Sequence, residues 1–127
     1  MPRPSQPSPT SPKIEARFRL RVTLGSDIAI GPGKIDLLEA IREHGSITQA
    51  AREIGMSYRR GWLLLDELNR SLRKPATACS QGGLRGGGCL LTPEGEALIA
   101  LYREIEQRAE HACAQQLASL TQLIVKS

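Results

Sequence analysis

Residues 45–69, reading GSITQAAREIGMSYRRGWLLLDELN, constrain the fold most, because two helices and the break between them follow from local chemistry. The Ser46 hydroxyl can accept from an orphan backbone N–H, which predicts a helix starting near Ile47 with Gln49 at the place of a capping-box partner. Ile47, Ala50, Ala51 and Ile54 recur at helical spacing, and the paired alanines are small enough for another helix to approach closely. Gly55 supplies the left-handed conformation of a helix stop, and Ser57 offers a second N-cap two residues later. The second helix must then start almost at once and leave at a steep angle, which makes a helix-turn-helix. Its outward first turn carries Ser57, Tyr58, Arg59 and Arg60, residues suited to phosphate oxygens and to the acceptor edge of guanine in a major groove.

Around this unit the 127 residues suffice for one domain with an extra helix. Residues 1–13 interleave Pro2, Pro4, Pro7, Pro9 and Pro12 with serines and are expected to form an extended, disordered tail. From residue 14 to 92 a DNA-binding domain is expected. Arg17–Leu24 alternates basic or polar residues with Phe18, Leu20, Val22 and Leu24, the pattern of a half-buried strand. Gly25-Ser26-Asp27 reads as a turn into a short return strand, Ile28–Ile30. A helix follows over about Lys34–Glu43 with Ile35, Leu38 and Ile41 inward, closed by His44-Gly45.

The second helix of the motif continues with Gly61, Leu65, Leu68 and Leu72 on one face and is ended by Pro75. Two short apolar stretches then flank the run Gly82–Gly88, a glycine-rich hairpin with Arg85 at its tip, which is the form of a wing. Thr92-Pro93-Glu94 is a helix start, and residues 93–127 are expected to form one long dimerisation helix to about Val125. Leu98, Leu101, Ile105, Ala109, Ala112, Leu117, Leu120 and Ile124 make a stripe along it. A helix about 45 Å long exceeds what a small domain covers, so part of that stripe is expected to meet a second subunit.

The net charge of +4 says less than its distribution. Between Ser57 and Arg85, Arg59, Arg60, Arg70, Arg73, Lys74 and Arg85 face only Asp66 and Glu67, whereas acids outnumber bases beyond Pro93. No catalytic constellation is present, and the glycine run lacks the Lys-Ser/Thr ending of a nucleotide loop. An enzyme is therefore not expected, nor a cofactor. His111, Cys113, Cys79 and Cys89 lack metal-ligand spacing, so no metal is expected either. The three cysteines, the absence of a signal-peptide pattern and the absence of an apolar run of about 20 residues favour a cytoplasmic setting away from membranes. There Cys79 and Cys89 are expected to be inert thiols. A sharper expectation sets them face to face across a hairpin centred on Leu84, where a disulfide would restrict the wing and alter DNA affinity. Trp62 is expected to pack into the core, and Tyr58 to offer its hydroxyl to a phosphate.

Gly-Ser-Ile-Thr-Gln-Ala-Ala (45–51), Ser-Tyr-Arg-Arg-Gly-Trp (57–62), Glu-Leu-Asn (67–69) and Gly-Gly-Leu-Arg-Gly-Gly-Gly-Cys-Leu-Leu-Thr-Pro-Glu-Gly (82–95) resemble the N-terminal DNA-binding domain of the ModE-type molybdate-responsive regulators. The match covers about Arg17 to Gln115, and its first motif is shared with LysR-type regulators. The resemblance implies a winged helix-turn-helix, mostly α with small β elements, and a homodimer joined through the helix after the wing. It also implies binding to palindromic operators in double-stranded DNA near molybdenum-related genes. Full-length members carry molybdate in C-terminal oligonucleotide-fold domains, for which these 127 residues leave no sequence, so molybdate sensing is not expected of this chain. Leu84 and Arg85 shift the wing charge by one position relative to the family, and Cys89 replaces an alanine. The expected DNA-contacting set is Ser46, Thr48, Ser57, Tyr58, Arg59, Arg60 and Arg85. The alternatives are a protein-interaction module and a metal or redox sensor on the same fold.

Overall fold

The computed structural model describes residues 12–80 and 88–124. In chain order the elements are β1 (Val22–Leu24), β2 (Asp27–Ile30), α1 (Pro32–His44), α2 (Ile47–Glu53) and α3 (Tyr58–Ser71). They are followed by β3 (Thr77–Cys79), β4 (Cys89–Leu91), α4 (Pro93–Ala112) and α5 (Ala114–Gln122). The strands pair as two separate antiparallel hairpins, β1 with β2 and β3 with β4.

The caps act where local chemistry places them. The Ser46 hydroxyl accepts from Gln49 N at 3.1 Å, that of Ser57 from Arg60 N at 3.1 Å and that of Thr92 from Gly95 N at 3.1 Å. Gly45 takes φ 73° at the end of α1 and donates to the Ile41 carbonyl at 2.8 Å. Gly55 takes φ 76° just after α2. Both values lie in the left-handed region that a side chain would strain, so each helix stops there.

Ile35, Leu38 and Ile41 are fully buried on the inner face of α1, with Leu37 and Ala40 beside them. Ala51 meets α3 at Gly61, where an added Cβ would stand 3.1 Å from its own, and Ala50 is buried beside it in sequence. This close approach explains the small residues of the motif. Leu65 and Leu68 from α3 and Ile99 from α4 complete the core. Each such side chain contributes roughly 1.5–3 kcal/mol when taken fully from water.

Four expectations need correction. The strand over Arg17–Leu24 shrinks to Val22–Leu24, and Val22 and Leu24 are exposed, because nothing in the described chain lies over that face. The long helix is not continuous: α4 ends at Ala112, Cys113 adopts φ −108° and ψ 15°, and α5 starts anew at Ala114. The side of α4 that the core covers is Gly95, Ile99 and Tyr102, leaving Leu101 and Ile105 of the expected stripe exposed. Trp62 is exposed to 47%, because it lies about 100° around the helix from the Gly61–Leu65–Leu68 face. Residues 1–11 of the expected tail and 81–87 of the expected wing, Arg85 included, lie outside the described residues.

Candidate nucleic-acid interface

The start of α3 projects from the core because only Gly61, Leu65 and Leu68 face inward. At about 100° per residue, Arg59 and Leu63 point opposite to that face, and Arg60 and Trp62 lie on its two flanks. Tyr58, Arg59 and Arg60 are all exposed, and among the described residues neither arginine makes an ion pair. The Ser46 and Ser57 hydroxyls are occupied as acceptors in their caps, and each keeps its own proton for an external oxygen. Thr48 is exposed on α2, within the same supersecondary unit. Six of the seven expected contact residues therefore lie on one helix-turn-helix, and the seventh, Arg85, falls outside the described residues.

The base of the expected wing is built beside it. Thr77, Ala78 and Cys79 pair with Leu91, Leu90 and Cys89. Cys79 and Cys89 are joined in a disulfide with Cα atoms 4.0 Å apart, which corrects the expectation of two free thiols and agrees with their facing each other across the strands. Ser80 N donates to the Gly88 carbonyl at 2.9 Å, extending the ladder. Cys89 is buried, and its N–H donates to the Gly45 carbonyl at 2.8 Å. The hairpin is thereby tied to the residue that separates α1 from α2.

Charge is treated differently between α1 and α4. Arg103 of α4 donates to Glu39 at 3.0 and 2.5 Å, to Glu106 at 2.8 Å and to Asp36 at 3.1 Å. The hydrogen bond from Arg103 holds the Glu39 carboxyl below the usual carboxylate range, and the Arg103 guanidinium is stabilised as a cation in turn. In this cluster the one cation is fully engaged by carboxylates; among the described residues neither arginine in the first turn of α3 has such a partner. The sequence carried no local signal for the cluster, since its members lie on α1 and α4. His44 of α1 also gains a neighbour unseen in the sequence, its Nε2 standing 4.0 Å from Glu53 of α2. Among the described residues no group of His, Cys, Asp and Glu could hold a metal ion.

ModE of Azotobacter vinelandii is 38% identical over 92 residues, 71% of this chain. The chain's homologues are ModE transcriptional regulators. ModE of Escherichia coli K12, a DNA-binding transcriptional dual regulator, is 34% identical over 99 residues, 76% of this chain and 38% of its own length. The molybdenum-pterin-binding protein MopB of Rhodobacter capsulatus is 46% identical over 77 residues, 61% of this chain and 28% of its own length. The chain thus spans about a third of the length of the ModE proteins it matches, 34% for that of Azotobacter vinelandii. No protein-family profile matches it.

Among solved structures, the DNA-binding domain of CbnR in complex with DNA superposes with a TM-score of 0.54 at 22% identity, over 69% of this chain and 95% of that one. Full-length CbnR complexed with its target DNA gives 0.53 at 22% identity, over 68% of this chain and 28% of that one. At this identity the likeness establishes the fold, a winged helix. It is the architecture expected of this chain from the caps at Ser46 and Ser57 and the hairpin after α3.

Proposed function

We propose that this chain is the DNA-binding part of a transcriptional regulator related to ModE, working as a homodimer on a palindromic site in double-stranded DNA. The observation that carries this reading is the first turn of α3, where Tyr58, Arg59 and Arg60 are exposed and the two arginines are uncompensated among the described residues. Arg59 points away from the core and is assigned to base edges. Arg60, on the flank, is assigned to phosphate together with the hydroxyls of Ser46, Thr48, Ser57 and Tyr58, and Arg85 to the minor groove or backbone. The homologues are regulators, which are not enzymes, and this favours a non-catalytic role. Their molybdenum-related names motivate target genes for molybdenum handling. No described helix is long and apolar enough to cross a membrane.

Self-association is supported by the exposed Leu101, Ile105, Leu120 and Ile124 along α4 and α5. Two half-sites about one helical turn apart require such a pairing. The test is binding to duplexes recovered by in-vitro selection. A dimer that neutralises roughly six to ten phosphates loses about 10³ to 10⁵ in affinity between 50 and 200 mM salt. Arg59→Ala should cost about 1–3 kcal/mol and relax the preference at one base position. Failure to select any duplex at low salt would overturn the reading. A stoichiometric protein partner in place of DNA would select the interaction-module alternative.

A further inference from the structure

A cavity of about 750 Å³ opens between the β1–β2 hairpin and the flank of α3 that carries Arg60. Arg19 and Arg21, on the segment leading into β1, line one side, and Arg60 and Arg70 line the other. The wall between them is Gly31-Pro32-Gly33, where a Cβ on Gly33 would meet nothing within 4 Å, so backbone alone borders the space. Asp27 and Glu67 also line it, but Glu67 is engaged by the buried Lys34 ammonium at 3.4 Å. Arg70 is engaged by Asp66 at 3.1 Å. Among the described residues Arg19, Arg21 and Arg60 have no ion-pair partner, so three guanidiniums from two parts of the chain face a single free carboxylate, Asp27. Guanidinium forks match the oxygens of a phosphate in pairs, and a walled concavity strengthens their combined field.

We propose that this cavity is an oxyanion site for a phosphate-type group, held by Arg19, Arg21 and Arg60. The group can come from the DNA backbone next to the groove entered by α3, a source that rests on the function proposed above, or from free inorganic phosphate. In either case the hairpin becomes part of a binding surface and not merely a flap on the domain. Arg60, shared by the cavity and the first turn of α3, then links the two.

The test uses the whole chain and the double variant Arg19→Gln/Arg21→Gln, whose altered side chains are exposed and outside the core. Backbone amide spectra are recorded while inorganic phosphate is added, against sodium chloride of equal ionic strength. Affinity for a duplex selected on the unaltered chain is measured in parallel. Saturable shifts at Gly33 and Lys34 that phosphate produces, chloride does not and the double variant lacks would establish the free anion as ligand. With no phosphate response, a loss of about tenfold or more in duplex affinity and a shallower salt dependence would establish the backbone phosphate. The exposed pair Arg73→Gln/Lys74→Gln, away from the cavity, is the control for charge alone, and an equal loss there overturns the backbone source. If the unaltered chain selects no duplex, the DNA reading fails and the phosphate titration alone decides the site. Absence of both responses overturns the proposal.

Discussion

The two hairpins have the same antiparallel form and opposite attachments. β3–β4 is held from three sides: Asn69 of α3 accepts from Ala76 N at 2.8 Å and donates to the Thr77 hydroxyl at 3.1 Å. The Thr92 hydroxyl donates to the Pro75 carbonyl at 2.7 Å, and Cys89 N–H reaches Gly45. Ala76, Thr77 and Cys89 are buried. β1–β2 leaves Val22, Leu24 and Ile28 exposed and buries only Ala29, with an irregular register between Val22 and Thr23. It hangs on the Lys34 ammonium, which donates to the Ile28 carbonyl at 2.5 Å, and on the Tyr102 hydroxyl, which donates to the Leu20 carbonyl at 2.7 Å. An isolated two-stranded hairpin is marginal in water, so each of the two depends on the structure around it.

The sharpest way to break the contrast is at Gly95. A Cβ there would overlap the Ala76 carbonyl oxygen, which accepts from Thr92 N–H, on a residue whose own N–H is held by Asn69. Gly95→Ala is expected to cost about 3 kcal/mol in urea unfolding, at the upper end for overpacking. Gly33→Ala, in open space on the hairpin β1–β2 side, should instead be neutral or stabilise by about 0.5 kcal/mol. Equal effects would show that the β3–β4 side is no more tightly fitted than the other.

Next in size is the cross-link, which only β3–β4 has. Closing a loop of this length contributes about 2–3 kcal/mol by the loop-entropy account. Reductant should lower the unfolding free energy of the unaltered chain by that amount, read as a fall in its urea midpoint, and leave Cys79→Ser unmoved. If the wing contacts DNA, affinity should change with oxidation in the first protein only. Thiols that remain fully alkylatable in the purified, oxidised chain would remove the cross-link from the account.

How legible these features were in the sequence follows the same division. Ser46, Ser57 and Thr92 as caps, and Gly45 and Gly55 as stops, were readable because each acts on backbone within a few residues of itself. The outward Tyr58–Arg60 turn followed from them. The facing cysteines were readable from hairpin symmetry, and of the two expectations for them, inert thiols or a disulfide, the structure has the second. Nothing local to Lys34 marks it as an anchor, and only the fold brings the Ile28 and Ala29 carbonyls to it. Asn69 and Gly95 act on Ala76, a partner set by packing and not by spacing. The break at Cys113 carries no proline or glycine to announce it, and apolar spacing continues across it.

A smaller effect is expected where β1–β2 is anchored by Lys34. Lys34→Met retains the buried stem and removes the donor, leaving the Ile28 and Ala29 carbonyls without it, at a cost of about 1–2 kcal/mol. Amide exchange should accelerate across β1–β2 and stay unchanged across β3–β4. Uniform acceleration would mean that the two hairpins open together and that their separate attachments have no separate consequence.

The smallest expected effect isolates the other anchor. Tyr102→Phe removes a single hydrogen bond to Leu20 from a side chain that is otherwise buried, at about 1 kcal/mol. Burial, with the Glu106 carboxylate adding to it, raises the Tyr102 hydroxyl above its ordinary value. The folded chain therefore holds this proton more firmly than the unfolded chain does. The associated stability is complete below the unfolded value, near pH 10, and is lost as pH rises through the higher folded value, where the donor to Leu20 disappears. The unaltered chain should thus lose stability in that alkaline window by more than Tyr102→Phe, and the two should converge above it. The loss should appear first as faster exchange and proteolysis around Leu20–Ile30, with Thr77–Cys79 still protected. Parallel pH profiles for the two proteins would show that Tyr102 holds the hairpin by its ring alone.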